Sequence, residues 1–231
     1  MIQINNLQKK YNNITVLDIQ QLHVPANESF GLVGNNGAGK TTLFRLLLDL
    51  LRADQGSASI NGIAVATDES WKHFTGSFLD QGFLIDFLSP EEFFEFTGKI
   101  KGMSHDDISS FLLGMEEFFN GEVLGKKKLI RNFSMGNQQK IGIAAAFMGN
   151  PKVVVLDEPF NSLDPSTQIR LKQLIKQKKS EAATTFLISS HDLNHLAEVC
   201  DRVVVLEEGK IVHDLHSDSD TLASLESYFA V

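Results

Sequence analysis

The segment Gly34–Thr41 reads GNNGAGKT; Ser29–Gly34 before it reads SFGLVG, and Thr42–Leu51 after it reads TLFRLLLDLL. The loop matches G-x-x-x-x-G-K-[ST], and average composition would produce its four fixed positions by chance in about one chain in a hundred of this length. The flanks argue against chance. A short continuous apolar run reads as a buried strand, and the leucine-rich stretch reads as a helix. Strand, glycine loop and helix together make a phosphate cradle: glycines let backbone N–H groups curl around an anion, and the helix N-terminus adds its positive end. Lys40 then reaches the β- and γ-phosphates, and the Thr41 hydroxyl takes Mg²⁺. Gly34, Asn35, Asn36, Gly37, Ala38, Gly39 and Thr42 complete the expected phosphate-contacting set.

Three other segments have the character of Ser29–Gly34: KVVVLDEP (Lys152–Pro159), TTFLISS (Thr184–Ser190) and RVVVLEEG (Arg202–Gly209). Continuous apolar runs are strands covered on both faces, and helical segments separate them, so a largely parallel α/β sheet is expected. Residues 1 to about 30 and Gly56–Val65 instead alternate apolar with polar positions, which predicts half-buried antiparallel strands with a turn at Asn61-Gly62. Residues 82–133 break the pattern. SPEEFFEFTGKIKG opens with Ser89 as N-cap, Pro90 at the first helical position and two glutamates in the first turn, so a helical insertion is expected there. Nine of the chain's 17 phenylalanines fall in this insertion, enough for a small apolar core of its own. From His213 onward the chain reads as a polar tail that turns weakly helical.

Composition narrows the function. A chain of 231 residues with 42% apolar content buries one substantial core. Its net charge of −8, with no basic block longer than GKKK at Gly125–Lys128, argues against nucleic acid as a partner. No apolar run approaches the roughly 18 residues of a spanning helix, so a membrane role is expected only through a partner. Cys200 is the single cysteine, which rules out an intrachain disulfide and cysteine-rich metal sites, and EVCDRV reads as a buried setting for it.

A second candidate site stands in VVVLDEP, which places Asp157 and Glu158 at the C-terminal edge of an apolar strand, where open α/β sheets bind ligands. Asp157 is positioned for the Mg²⁺ shell and Glu158 for orienting or deprotonating the attacking water. A lone Asp-Glu pair is more often a solvated strand end; coupled to a phosphate loop it is not alone. A switch GTPase is the rival for such a chain, but the guanine-reading Asn-Lys-x-Asp is missing from every strand end. Tyr11, at the end of a predicted strand, is suited to stack on an adenine face.

With GNNGAGKT, VVVLDEP, NSLDP (Asn161–Pro165) and SSHD (Ser189–Asp192) in this order, the chain resembles the ATP-binding cassette ATPases over nearly all of residues 1–212. By that resemblance Tyr11 is similar to the aromatic loop and Gly34–Thr42 to the Walker A segment. Gln81 matches the glutamine loop, a catalytic and metal-binding position, and Asp157 and Glu158 match Walker B and the catalytic glutamate. Asp164 matches the D-loop aspartate and His191 the switch histidine. The family's signature loop, commonly Leu-Ser-Gly-Gly-Gln, falls on Phe133, Ser134, Met135, Gly136 and Asn137, with Ser134 lying 23 residues before Asp157. Ser134 and Gly136 are retained; Met135 and Asn137 depart, which puts the turnover rate in question more than the assignment.

The resemblance implies a P-loop NTPase fold with a mainly parallel core sheet, an N-terminal antiparallel β subdomain and an inserted α-helical subdomain. On that division residues 1–81 and 134–212 form the core with its β subdomain, 82–133 the helical subdomain and 213–231 a short tail. It also implies ATP and Mg²⁺, with a second ATPase subunit, a further copy of this chain in a homodimer or a different ATPase in a heterodimer, set head to tail so that Ser134 and Gly136 of one subunit close over ATP held by the other. Separate membrane permease subunits are the expected partner, with the chain cytoplasmic and peripheral at the inner face of the membrane. LSPEEFFEFTGKIKGMS and NFSMGNQQKIGIA are most similar to subunits of drug, antibiotic-peptide or polymer exporters, and Phe83, Phe87, Phe93, Phe94 and Phe96 are candidates for a receiving surface of which about two face the permease. The alternative is a cassette ATPase of cofactor assembly or signalling without transport.

Overall fold

The computed structural model describes residues 1–217. The second, weakly helical part of the expected tail lies outside these residues. Two sheets organise the chain. In the first, β1 (Ile2–Tyr11), β2 (Ile14–Val24), β4 (Gln55–Ile60) and β5 (Ile63–Ala64) run in the order β2-β1-β4-β5, all antiparallel. Alternation decides this arrangement, since Ile2, Ile4, Leu17, Ile19, Ala58 and Ile60 are buried on one side while their neighbours face out. Asn61 and Gly62 both take positive φ, 52° and 78°, as a two-residue hairpin turn requires.

The second sheet has the order β10-β9-β3-β8-β7-β6, built from β3 (Ser29–Val33), β6 (Thr75–Phe78), β7 (Val153–Leu156), β8 (Thr185–Ser190), β9 (Arg202–Glu207) and β10 (Lys210–His216). All neighbours are parallel except β9 and β10. The continuous apolar runs now have their reason. Val154 and Leu156 of β7 enter one hydrophobic core, while Val153 and Val155 enter the other, and Phe186 and Leu187 of β8 divide in the same way. One core lies between the sheet and the helices α5 (Met135–Phe147) and α6 (Pro165–Ala182); the other joins it to the antiparallel sheet and α1 (Lys40–Leu47).

Residues 82–133 carry the helices α2 (Pro90–Ile100), α3 (His105–Gly114) and α4 (Glu116–Phe119). Ser89 caps α2 through a full capping box with Glu92, and Ser104 does the same for α3 with Asp107. Phe93, Phe94, Phe118 and Phe119 are buried with rings about 6 Å apart, as in an aromatic core. Of the five phenylalanines expected at a receiving surface, Phe83, Phe87 and Phe96 are exposed and Phe93 and Phe94 are buried.

Two strands escape the sequence pattern. β10 is a polar edge strand tied down by Arg202, whose guanidinium donates to both Asp214 oxygens at 2.6 Å, so the tail boundary expected at His213 falls inside a strand. β6 reads TGSF because α5 lies directly on it. A Cβ on Gly76 would sit 1.8 Å from the Ala146 carbonyl oxygen, and one on Gly142 would sit 2.0 Å from the Phe78 ring. Gly76→Ala therefore has to push two backbones apart and is expected to cost about 3 kcal/mol. A thermal melt checks this; an unchanged Tm would show that the two elements yield freely.

Candidate active site

The parallel register sets the site. Val33 of β3 pairs with Ser190 of β8, and Leu156 of β7 with Ile188, so the residues that follow these strands emerge at one sheet edge. Gly34, Asp157 and His191 are those residues.

The phosphate loop leaves β3 under a tight constraint, since a Cβ at Gly34 would lie 2.3 Å from the Leu206 carbonyl oxygen. Gly39, at φ 108°, is the N-cap of α1 and provides no side chain to the first turn, which leaves that turn's N–H groups for another acceptor. Lys40 is buried; its Nζ donates to the Gly34 carbonyl at 2.6 Å and lies 3.3 Å from Glu158 Oε1. A pocket of about 270 Å³ lies over this loop, lined by Tyr11, Val16, residues 35–42 and Glu158. Tyr11 is half exposed at its rim, with Lys9 Nζ 5.5 Å from the ring centroid.

Behind the loop, Asp157 is buried and accepts from the hydroxyls of Thr41 and Ser189, one on each carboxylate oxygen. Burial pushes its carboxyl above the usual carboxylate range, with Glu158 adding to this, while the two hydroxyls and Lys40 oppose it. A buried carboxylate beside a threonine hydroxyl is a hard-oxygen donor set, so Thr41 and Asp157 fit a magnesium ion. Glu158 stands next in the chain in the left-handed region, at φ 48°. Its N–H donates to Ser189 Oγ at 2.9 Å, and its Oε2 accepts from the His191 backbone N–H at 3.2 Å and lies 2.9 Å from His191 Nδ1. A carboxylate only accepts, so that ring nitrogen carries the proton. Lys40, Glu158 and His191 form one chain of polar contacts, with Thr41 and Asp157 beside it.

The remaining expected site residues lie elsewhere. Gln81 sits in a short 3-10 turn after β6, is absent from the pocket lining, and donates from Nε2 to Gln139 Oε1 at 2.8 Å. Ser134 is the N-cap of α5, its hydroxyl accepting from the Asn137 N–H at 3.3 Å. Gly136 packs on the chain itself, since a Cβ there would lie 2.6 Å from the Ser162 carbonyl oxygen. Asp164 caps α6 with both oxygens engaged by Ser166 and Thr167, and these hydroxyls hold its carboxyl well below the usual range. Ser134, Gly136 and Asp164 do not line the pocket. Ser189, which joins Asp157 to Glu158, and the buried Gln139 lie outside the expected site residues; the pairing of β7 with β8 gives the first away, but no local pattern marks the second.

The sequence matches the family described as ABC transporter over residues 17–161. An uncharacterised ABC transporter ATP-binding protein of Synechocystis is 33% identical over 82% of this chain, which spans only 53% of that relative. The bacitracin transport ATP-binding protein of Enterococcus faecalis is 31% identical over 94% of this chain and 69% of its own length. The lantibiotic transport ATP-binding protein of Streptococcus pyogenes is 32% identical over 99% of this chain and 96% of its own. Among solved structures, an ATP-binding subunit of an ABC transporter superposes with a TM-score of 0.85 at 26% identity, covering 100% of this chain and 93% of that one. A dimeric ATP-binding cassette bound to ADP and Pi also gives a TM-score of 0.85, at 23% identity over 95% of this chain and 100% of that one, and so likens the fold.

Proposed function

The chain belongs to the ABC transporter family, and on that premise we propose that it is an ATP-binding subunit that hydrolyses ATP, dimerises on it and drives a separate membrane permease, with export as the direction. The observation that carries this is the division of the expected site: Lys40, Thr41, Asp157, Glu158 and His191 are joined by contacts at one sheet edge, while Ser134 and Gly136 stand outside the pocket. A second copy set head to tail supplies what one copy lacks, with the N-terminus of α5 facing the γ-phosphate bound by its partner. Likeness to transport ATP-binding proteins for bacitracin and a lantibiotic supports an antibiotic-peptide or similar cargo. Among the described residues no helix is long and apolar enough to cross a membrane.

In this reading the backbone of Gly34–Thr42 and Lys40 hold the phosphates, and Tyr11 stacks on the adenine. Glu158 orients the attacking water and takes its proton, and His191 holds Glu158 and supports the transferring group. Thr41 and Asp157, with Gln81, would hold Mg²⁺, which supplies charge neutralisation on the β- and γ-phosphates. Residues 82–133 serve as the lever toward the permease, with Phe83 and Phe87 in its receiving surface.

Mixing tests the shared site. Lys40→Ala and Ser134→Ala chains should each be nearly inactive, yet a re-equilibrated equimolar mixture should regain about a quarter of wild-type ATPase, because half its dimers carry one intact composite site out of two. No recovery on mixing, or a fully active Ser134→Ala chain, would sink the cross-subunit role.

A further inference from the structure

We propose that Gln139, buried in the second turn of α5, is a positioning residue that orients both Gln81 and Glu158. Its carboxamide is used at both ends: Oε1 accepts from Gln81 Nε2 at 2.8 Å, and Nε2 lies 3.3 and 3.4 Å from the carbonyl oxygens of Glu158 and Pro159. One buried side chain thus bridges the turn after β6 to the turn after β7. Only an amide side chain of this length accepts at one end and donates at the other without charge.

The consequences differ at the two ends. With Gln81 Nε2 committed to Gln139, Oε1 is the atom left to accept a hydrogen bond or to ligate a hard cation. Glu158 is in the left-handed region, which a non-glycine residue holds only where its surroundings fix it. Ser189 takes the N–H of Glu158 and Gln139 takes its carbonyl, so both sides of that residue are held. The bridge has little slack. Gly142 receives the Phe78 ring and Gly76 the Ala146 carbonyl, which holds α5 against β6 at a fixed distance from both turns.

The inference rests on the proposed roles of Glu158 and Gln81 in hydrolysis, and full-chain variants separate the two. Gln139→Met keeps the length and loses both ends; Gln139→Glu still accepts from Gln81 and, assayed at a pH where its carboxyl is ionised, has no proton to donate to the carbonyls. The measurements are kcat and KM for ATP, binding of a fluorescent ATP analogue with Mg²⁺ and with EDTA, and Tm. With EDTA both variants should bind the analogue within about twofold of wild type, while both lose about tenfold in kcat. The Met variant alone should lose most of the tightening produced by Mg²⁺, and adding Gln81→Ala to it should cost nothing further in that readout. The proposal is overturned by kcat within about twofold of wild type in both variants, by equal losses of EDTA binding and Tm in the two, or by full additivity with Gln81→Ala. A Glu158→Gln chain that hydrolyses normally would instead overturn the reading beneath it, whatever the Gln139 variants do. If the Met variant does not fold, the Glu variant carries the kcat test alone.

Discussion

Glu158→Gln should keep nucleotide binding and lose hydrolysis by about a hundredfold to ten-thousandfold, the usual share of a positioned general base. The substitution leaves the shape of the site alone. Glutamine retains the oxygen that accepts from the His191 backbone N–H, and the Glu158 N–H still reaches Ser189. What disappears is the proton acceptor, together with the negative charge 3.3 Å from Lys40 Nζ. Released from that ion pair, Lys40 is freer for phosphate, so affinity for ATP should hold or rise, and ATP-bound dimers should accumulate. Phosphate release under saturating ATP measures the first effect, and light scattering with and without ATP measures the second. Turnover within about twofold of wild type would remove Glu158 from the mechanism.

Asp157→Asn should separate stability from activity. The folded carboxyl titrates above its unfolded value, chiefly through burial, so the folded state binds that proton more tightly. Its charge therefore costs stability at every pH above the folded pKa, and the cost fades as pH falls through that value. Asparagine has no charge to bury. It can accept from one neighbouring hydroxyl and donate to the other, since Thr41 and Ser189 are free to rotate. With EDTA at neutral pH the variant should melt about 2–4 °C higher for each ~1 kcal/mol relieved, and the difference should shrink on acidification. Hydrolysis should fall at least about a hundredfold, because the proposed cation loses its buried carboxylate. A lower Tm at neutral pH would mean that the two hydroxyl bonds outweigh the buried charge.

The amino-acid sequence made much of this legible because the decisive signals are local. Four apolar runs, one glycine loop and an Asp-Glu pair at a strand end each depend on residues within a few positions of one another. The strands without a signal in the sequence are those whose character comes from a neighbour. β6 lacks an apolar run because α5 lies on it and demands Gly76 and Gly142, and β10 is polar because it is an edge held by Arg202. Asp164 carries two signals at once: its place in NSLDP matches a family position, and its oxygens cap α6.

By itself, then, the sequence determined the fold class, the family and the phosphate loop, since a backbone cradle needs only glycines, a lysine and a threonine in fixed order between a strand and a helix. The tertiary structure decided which distant groups meet. Strand register brings Ser189 from β8 between Asp157 and Glu158, and helix-on-strand packing places Gln139 where it holds Gln81 to the Glu158 carbonyl. Those partners lie 19 to 58 residues apart in the chain, a separation that no local pattern encodes, because only the closure of the sheet and the seating of α5 bring them within hydrogen-bond reach.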